Sequence, residues 1–102
     1  MTTKDKVNKA FLELRKIGYF AEQNFSCCQN CGWAEVPEDA EKVVFYHAQD
    51  NEAWNGDGEL DHDLYLAWSG DANEIMSCFE GVNMNWDGNE HTRIKILAMK
   101  GV

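Results

Sequence analysis

Three of the four cysteines in this 102-residue chain fall inside five consecutive positions, in the segment Phe25-Ser26-Cys27-Cys28-Gln29-Asn30-Cys31-Gly32-Trp33. Cys28 and Cys31 have the C-x-x-C spacing that lets two thiolates from one turn reach the same ion, and the polar, glycine-containing surroundings are what such a turn needs. A chain this short buries one hydrophobic core with a modest stability margin, so a metal cross-link tying a loop to a sheet matters more than in a larger protein. The length leaves no room for a second domain of ordinary size, and residues 1–102 are read as one domain.

Two thiolates do not complete a tetrahedral zinc site, and the further ligands are sought among Cys27, His47, His62, Cys78 and His91. The expectation is a structural zinc ion held by Cys28, Cys31 and His47, with Cys27 as fourth ligand. His47 is preferred because Val43, Phe45 and His47 share one face of a strand, which aims the imidazole where Phe45 points. Plainer readings stand beside this one. Cys78 lies on the apolar stripe of a helix with Ile75 and Phe79, as a small core residue would. His62 and His91 flank acidic loops and read as solvated, and His47 also reads as a core histidine bonded to a neighbouring carbonyl.

The same cysteines allow two other chemistries. A C-x-x-C at the start of a helix lowers one thiol's pKa and makes a dithiol couple. A thioredoxin-like arrangement, however, wants a β-α-β unit around the motif and a following helix of some length, and residues 32–40 read as too short and too polar for it. Cys27 or Cys28 could act as a nucleophile with His47 as base and Asp50 to orient it, but no sequence element marks a substrate cleft. The acidic run Asn55, Asp57, Glu59, Asp61, Asp63 fails as an EF-hand: counted from Asn55, the sixth position is Leu60 where glycine is required, and the twelfth is Leu66 in place of Glu.

Charge narrows the partners. The formal net charge is −9, and residues 35–90 hold fifteen Asp and Glu against the single Lys42, whereas residues 1–20 are net basic. Phosphate binding needs a surplus of Lys and Arg on the contact face, so nucleic acid is a poor direct partner. Acidic charge keeps a protein soluble, and it also lets a protein compete for a basic, nucleic-acid-handling surface. Trp54, within the polar loop, is the candidate partner anchor, with Asp57, Glu59, Asp61 and Asp63 around it; the alternative is that Trp54 packs back on its own loop. No apolar run approaches the ~18–20 residues of a membrane span. The opening residues lack the apolar core of a secretory leader, so the expected location is the cytoplasm, where cysteines serve as thiols or metal ligands.

Val7, Ala10, Phe11, Leu14 and Ile17 recur at three- and four-residue spacing behind a Thr2/Asp5 capping box, predicting a helix over 4–17 that ends at Gly18. Residues 19–25 read as extended, 43–48 and 63–69 as strands, 72–82 as a helix capped at Asp71, and 92–98 as a strand with one wet face. Asn55-Gly56-Asp57-Gly58 and Trp86-Asp87-Gly88-Asn89 read as turns. The order implies an α+β domain: an antiparallel or mixed sheet of about four strands, two main helices packed on one side, and a zinc-stapled cysteine loop.

The segment 18–34 with its Cys-Cys-x-x-Cys-Gly-Trp run, the Phe45-Tyr46-His47 segment and the Trp86-Asp87-Gly88 turn together resemble a bacterial and phage family of small domains without an established activity. The resemblance covers about residues 11–97 and implies one compact domain with linked roles for the cysteines and His47. By type, a small acidic protein with a metal-stapled fold also looks like a phage anti-CRISPR inhibitor. That likeness implies a non-enzymatic protein occupying a basic surface of a Cas9-like effector and blocking nucleic-acid loading. The competing expectation is a C-x-x-C redox protein or a small cysteine-dependent enzyme.

Overall fold

The computed structural model describes residues 1–98. Helix α1, Thr3–Lys16, begins at a complete capping box: the Thr2 hydroxyl accepts from the Asp5 N–H, and the Asp5 carboxylate accepts from the Thr2 N–H, both at 3.1 Å. It stops at Gly18, whose φ of +99° suits glycine, and Tyr19 N–H returns to the Leu14 carbonyl at 3.0 Å. The spacing of its apolar residues puts Val7, Ala10, Phe11 and Leu14 on one fully buried stripe.

That stripe packs on a five-stranded mixed sheet, in the order β1-β2-β3-β5-β4. The strands are β1 Phe20–Glu22, β2 Val43–Phe45, β3 Leu64–Ser69, β4 Met84–Asn85 and β5 Ile94–Ile96. β1 and β2 run parallel with Phe20 beside Val43; every other pair is antiparallel, with Phe45 opposite Ala67, Leu66 opposite Ile94, and Asn85 opposite Lys95. Side chains alternate across the sheet. Val44, Tyr46, Leu64, Leu66, Ile94 and Ile96 face α1, joined by Ile75 and Phe79 from the region of helix α4, Ala72–Ser77. Phe11 meets the rings of Tyr46 and Phe79 edge-on, with centroids 5.9 and 5.8 Å away.

The α+β class and mixed sheet match the sequence reading, with three refinements. The sheet has five strands, because the two-residue β4 pairs with β5 just ahead of the Trp86 turn. Residues 29–35 form a helix, α2, where a loop was expected. The helices α1 and α4 share the main core, as expected; α2 lies on the other face, where Val43, Phe45 and Ala67 form a second cluster with Phe20 and Phe25. A short helix, α3 (Ala48–Asn51), follows directly on His47.

Candidate metal centre

The thiol cluster lies in the crossover between the parallel strands β1 and β2. Leaving β1, the chain passes through Asn24 and Ser26, both in the left-handed region with φ of 52° and 65°. Asparagine tolerates this conformation, and serine adopts it only where its surroundings compensate a cost of about 1–2 kcal/mol. The compensation is visible in the packing between them. Phe25 turns inward against Phe20 and Phe45, at 5.4 and 5.5 Å, while its N–H bonds the Tyr46 carbonyl at 2.9 Å and the Ser26 carbonyl accepts from Ala48 N–H at 2.9 Å. These two bonds fasten the start of the cysteine segment to the end of β2.

Cys28 is then the N-cap of α2 (Gln29–Glu35), extended at φ −157° and ψ 173°. One turn later Gly32 N–H closes on the Cys28 carbonyl at 2.9 Å. Gly32 is the close-approach point: a Cβ there would fall 2.5 Å from Cε2 of Phe45, so only glycine lets the helix settle on the ring, with Trp33 stacked edge-on at 5.2 Å beside it. Sheet packing thereby fixes the turn that carries the thiols.

The sulfurs of Cys27, Cys28 and Cys31 all lie within 4.8 Å of one another, and Cys27 Sγ is 4.0 Å from Cys28 Sγ. Zinc–thiolate bonds of about 2.3 Å in a tetrahedron put sulfurs roughly 3.8 Å apart, so this trio fits a metal ion after a contraction of about 1 Å or less. The donor set is soft and anionic, which suits zinc among the divalent ions. Cys27 and Cys31 are exposed and Cys28 half-buried, so the cluster opens to solvent. Its protons are unequally held. The N–H of Cys31, then the Cys31 thiol, stabilise the Cys28 thiolate and draw its pKa down against the opposing effect of burial, with smaller help from Cys27 and the Asn30 N–H. Cys31 is pushed up to about 11, because it donates to the sulfurs of Cys27 and Cys28 and faces their charge.

His47 does not join the thiols. The strand expected to carry it, β2, ends at Phe45, and the ring becomes the N-cap of α3: Nδ1 accepts from the Asp50 N–H at 3.3 Å, and Nε2 stands 3.3 Å from Asp50 Oδ2. A histidine recruited to close a helix has its ring committed locally, and the group of sulfurs converges without it. Burial pushes the Asp50 carboxyl up, opposed by the charges of His47, Arg93 and His62, and among the described residues Asp50 Oδ2 accepts no hydrogen bond. The remaining candidates lie apart from the trio. His62 and His91 are exposed, and the half-buried Cys78 donates to the Glu74 carbonyl at 3.6 Å. Cys78 lines a groove of about 470 Å³ with Lys6, Lys9 and Glu13 from α1.

The acidic loop is largely bound into the fold. Trp54 bridges Leu60, donates to Tyr46 Oη at 3.3 Å and carries Lys4 Nζ 5.0 Å above its ring. Glu59 accepts from both the N–H and the hydroxyl of Thr3, Asp61 accepts from Asn55, and Asp63 caps the Ala98 N–H at 2.8 Å. Asp57 is exposed. The reading from residues alone missed α2, whose signal was a proline-free stretch from Cys28 to Val36 beginning at the C-x-x-C.

Fold and cluster define a small α+β domain with three thiols gathered at the start of a crossover helix. The chain belongs to the family described as Domain of unknown function (DUF6891), whose model matches residues 1–100. No curated protein and no solved structure matches it. Membership agrees with the expected family of small domains without an established activity, and the match carries no information on inhibition of an effector. Among the described residues no helix is long and apolar enough to cross a membrane.

Proposed function

We propose that the domain holds one zinc ion through Cys27, Cys28 and Cys31 and acts by contact with another protein. The observation that carries this reading is the convergence of three thiols within 4.8 Å on a backbone fixed by Gly32 and Phe45. Three thiolates supply the ion with charge and leave a fourth coordination position to water or to a donor from outside the trio. The ion would tie the Cys27 end of the crossover to the first turn of α2, reinforcing a segment otherwise held by a small aromatic cluster and two backbone hydrogen bonds. The protein-contact part rests on charge: the acidic stretch over residues 35–90 favours a basic surface over nucleic acid. The specific picture of an inhibitor on a Cas9-like effector has that charge as its only support, and four of the five contact residues it would use, Trp54, Glu59, Asp61 and Asp63, are engaged within the fold.

A dithiol redox role for Cys28 and Cys31 is the second reading, favoured by one specific observation. Parallel β1 and β2 with α2 between them form the β-α-β unit that such chemistry calls for, with the lower-pKa thiol at the helix start. Zinc content of protein purified without added metal, with thermal melting before and after a strong chelator, separates the two. About one equivalent, and a marked loss of melting temperature on chelation, supports the metal reading. Metal-free protein that forms a reversible Cys28–Cys31 disulfide at neutral pH supports the redox reading and overturns the first.

A further inference from the structure

We propose that the groove between α2 and β5 binds a small carboxylate through Arg93. The groove has a volume of about 210 Å³; Gln29 and Trp33 form its α2 wall, Ala67 of β3 its floor, and Glu90, His91 and Arg93 its far side. Its origin is a difference in side-chain size. On this face of the sheet Phe45 pairs with Ala67, so a tall ring under Trp33 stands next to a methyl group and leaves a trough that no side chain fills.

Arg93 is prepared for an anion. Its guanidinium lies 4.7 Å from the centroid of Tyr65, and Lys95 Nζ lies 5.7 Å from the same ring. Among the described residues no carboxylate lies within ion-pair distance of either cation, although the chain carries a net charge of −9, and the charge of Arg93 reaches the Asp50 carboxyl only at longer range. The other arginine, Arg15, is by contrast bonded to the Ala21 carbonyl and to Glu22 at 2.8 and 3.1 Å. Contact with Tyr65 supports the guanidinium without neutralising it, so its N–H donors can pair with a planar oxyanion in two parallel bonds. Trp33, 37% exposed, offers a flat apolar contact, and the Gln29 amide a further polar one.

Glu90 sets the choice of anion. Its carboxylate lines the same groove, 3.5 Å from His91 Nε2, and opposes a second negative charge. A monoanionic carboxylate on a flat apolar group fits better than a phosphate dianion. The volume is below the ~300–1,000 Å³ of pockets for drug-sized molecules, which limits the ligand to about the size of benzoate. The α2 wall is seated by Gly32 on Phe45, and no ligand on the thiols is invoked.

The test is a titration of the intact ¹⁵N-labelled protein with benzoate and, separately, inorganic phosphate, following the Arg93 side-chain N–H, the Gln29 amide and the Trp33 indole by NMR. Saturable shifts at these groups with benzoate, about tenfold weaker in Arg93→Gln and unchanged in Arg15→Gln, are the expected result. Melting temperatures of both variants confirm that the fold is intact. Shifts that do not saturate, that map elsewhere, or that persist undiminished in a folded Arg93→Gln overturn the site. Phosphate binding there at least as tightly as benzoate overturns the assignment to a carboxylate.

Discussion

The α-carbon of Gly32 sits over the ring of Phe45 so closely that one added methyl group would lie 2.5 Å from Cε2 and 2.8 Å from Cζ. Phe45 is fully buried in the second cluster and cannot swing away, so Gly32→Ala must push α2 off the sheet. The expected cost is about 1–3 kcal/mol, read as a lower melting temperature, together with weaker zinc binding because the turn from Cys28 to Cys31 moves with the helix. A variant with wild-type stability and zinc affinity would show that the contact does not set the thiol geometry.

Alkylation of the metal-free protein across pH should resolve unequal thiols. Cys28 reacts at a pH below its ordinary 9.0, and Cys31 only near its raised value of about 11. Cys31→Ala removes the thiol donor but keeps the backbone N–H, so the Cys28 midpoint rises part of the way back. Cys27→Ala removes the largest cause of the Cys31 shift and brings its midpoint down. Mass-spectrometric counting of labelled sites reads both, and identical midpoints for Cys28 and Cys31 would contradict the arrangement.

Glu59 joins the acidic loop to the first turn of α1 through Thr3, whose N–H and hydroxyl hold its carboxyl below the usual 4.5. A depressed folded-state pKa gives stability that is present above the unfolded value and lost as the pH falls through the folded one. Glu59→Gln should therefore lose stability at neutral pH and show a shallower decline below 4.5. Equilibrium unfolding at several pH values checks this; an unchanged acid limb would remove Glu59 from the account.

Tyr46 Oη is the buried junction of Lys4 Nζ, Gln23 and Trp54, at 2.8, 2.8 and 3.3 Å. Burial lowers the pKa of Lys4 and raises that of Tyr46 to about 12. Tyr46→Phe strands the ammonium and the indole N–H without this acceptor, which should cost about 1–3 kcal/mol in unfolding free energy. It should also loosen Trp54, visible as a red-shifted emission, and a fully wild-type melting curve would count against the junction.

Much of this architecture was legible because local signals and burial agree. Thr2, Asp5 and Gly18 bound α1 where its apolar spacing starts and stops, and Leu64, Leu66, Ile94 and Ile96 alternate as half-buried strands must. The cysteine trio was legible from spacing alone. The role of His47 was not, since periodicity gives the face of a strand but not the residue at which it ends, and the ring was taken as a cap by Asp50. Likewise α2 is only seven residues long, too short for a periodic pattern, and is held by one glycine against one ring. Arg93 drew no attention in the sequence because its interest comes from the trough beside it, left where Ala67 pairs with Phe45, a property of arrangement and not of spacing.

The outermost strands, β1 and β4, are three and two residues long. A neighbouring chain that tried to extend the sheet would find too few backbone amides in line to hold it, which guards the domain against edge-to-edge aggregation. The same brevity leaves a partner little backbone to pair with, so contacts with this domain must be made through side chains.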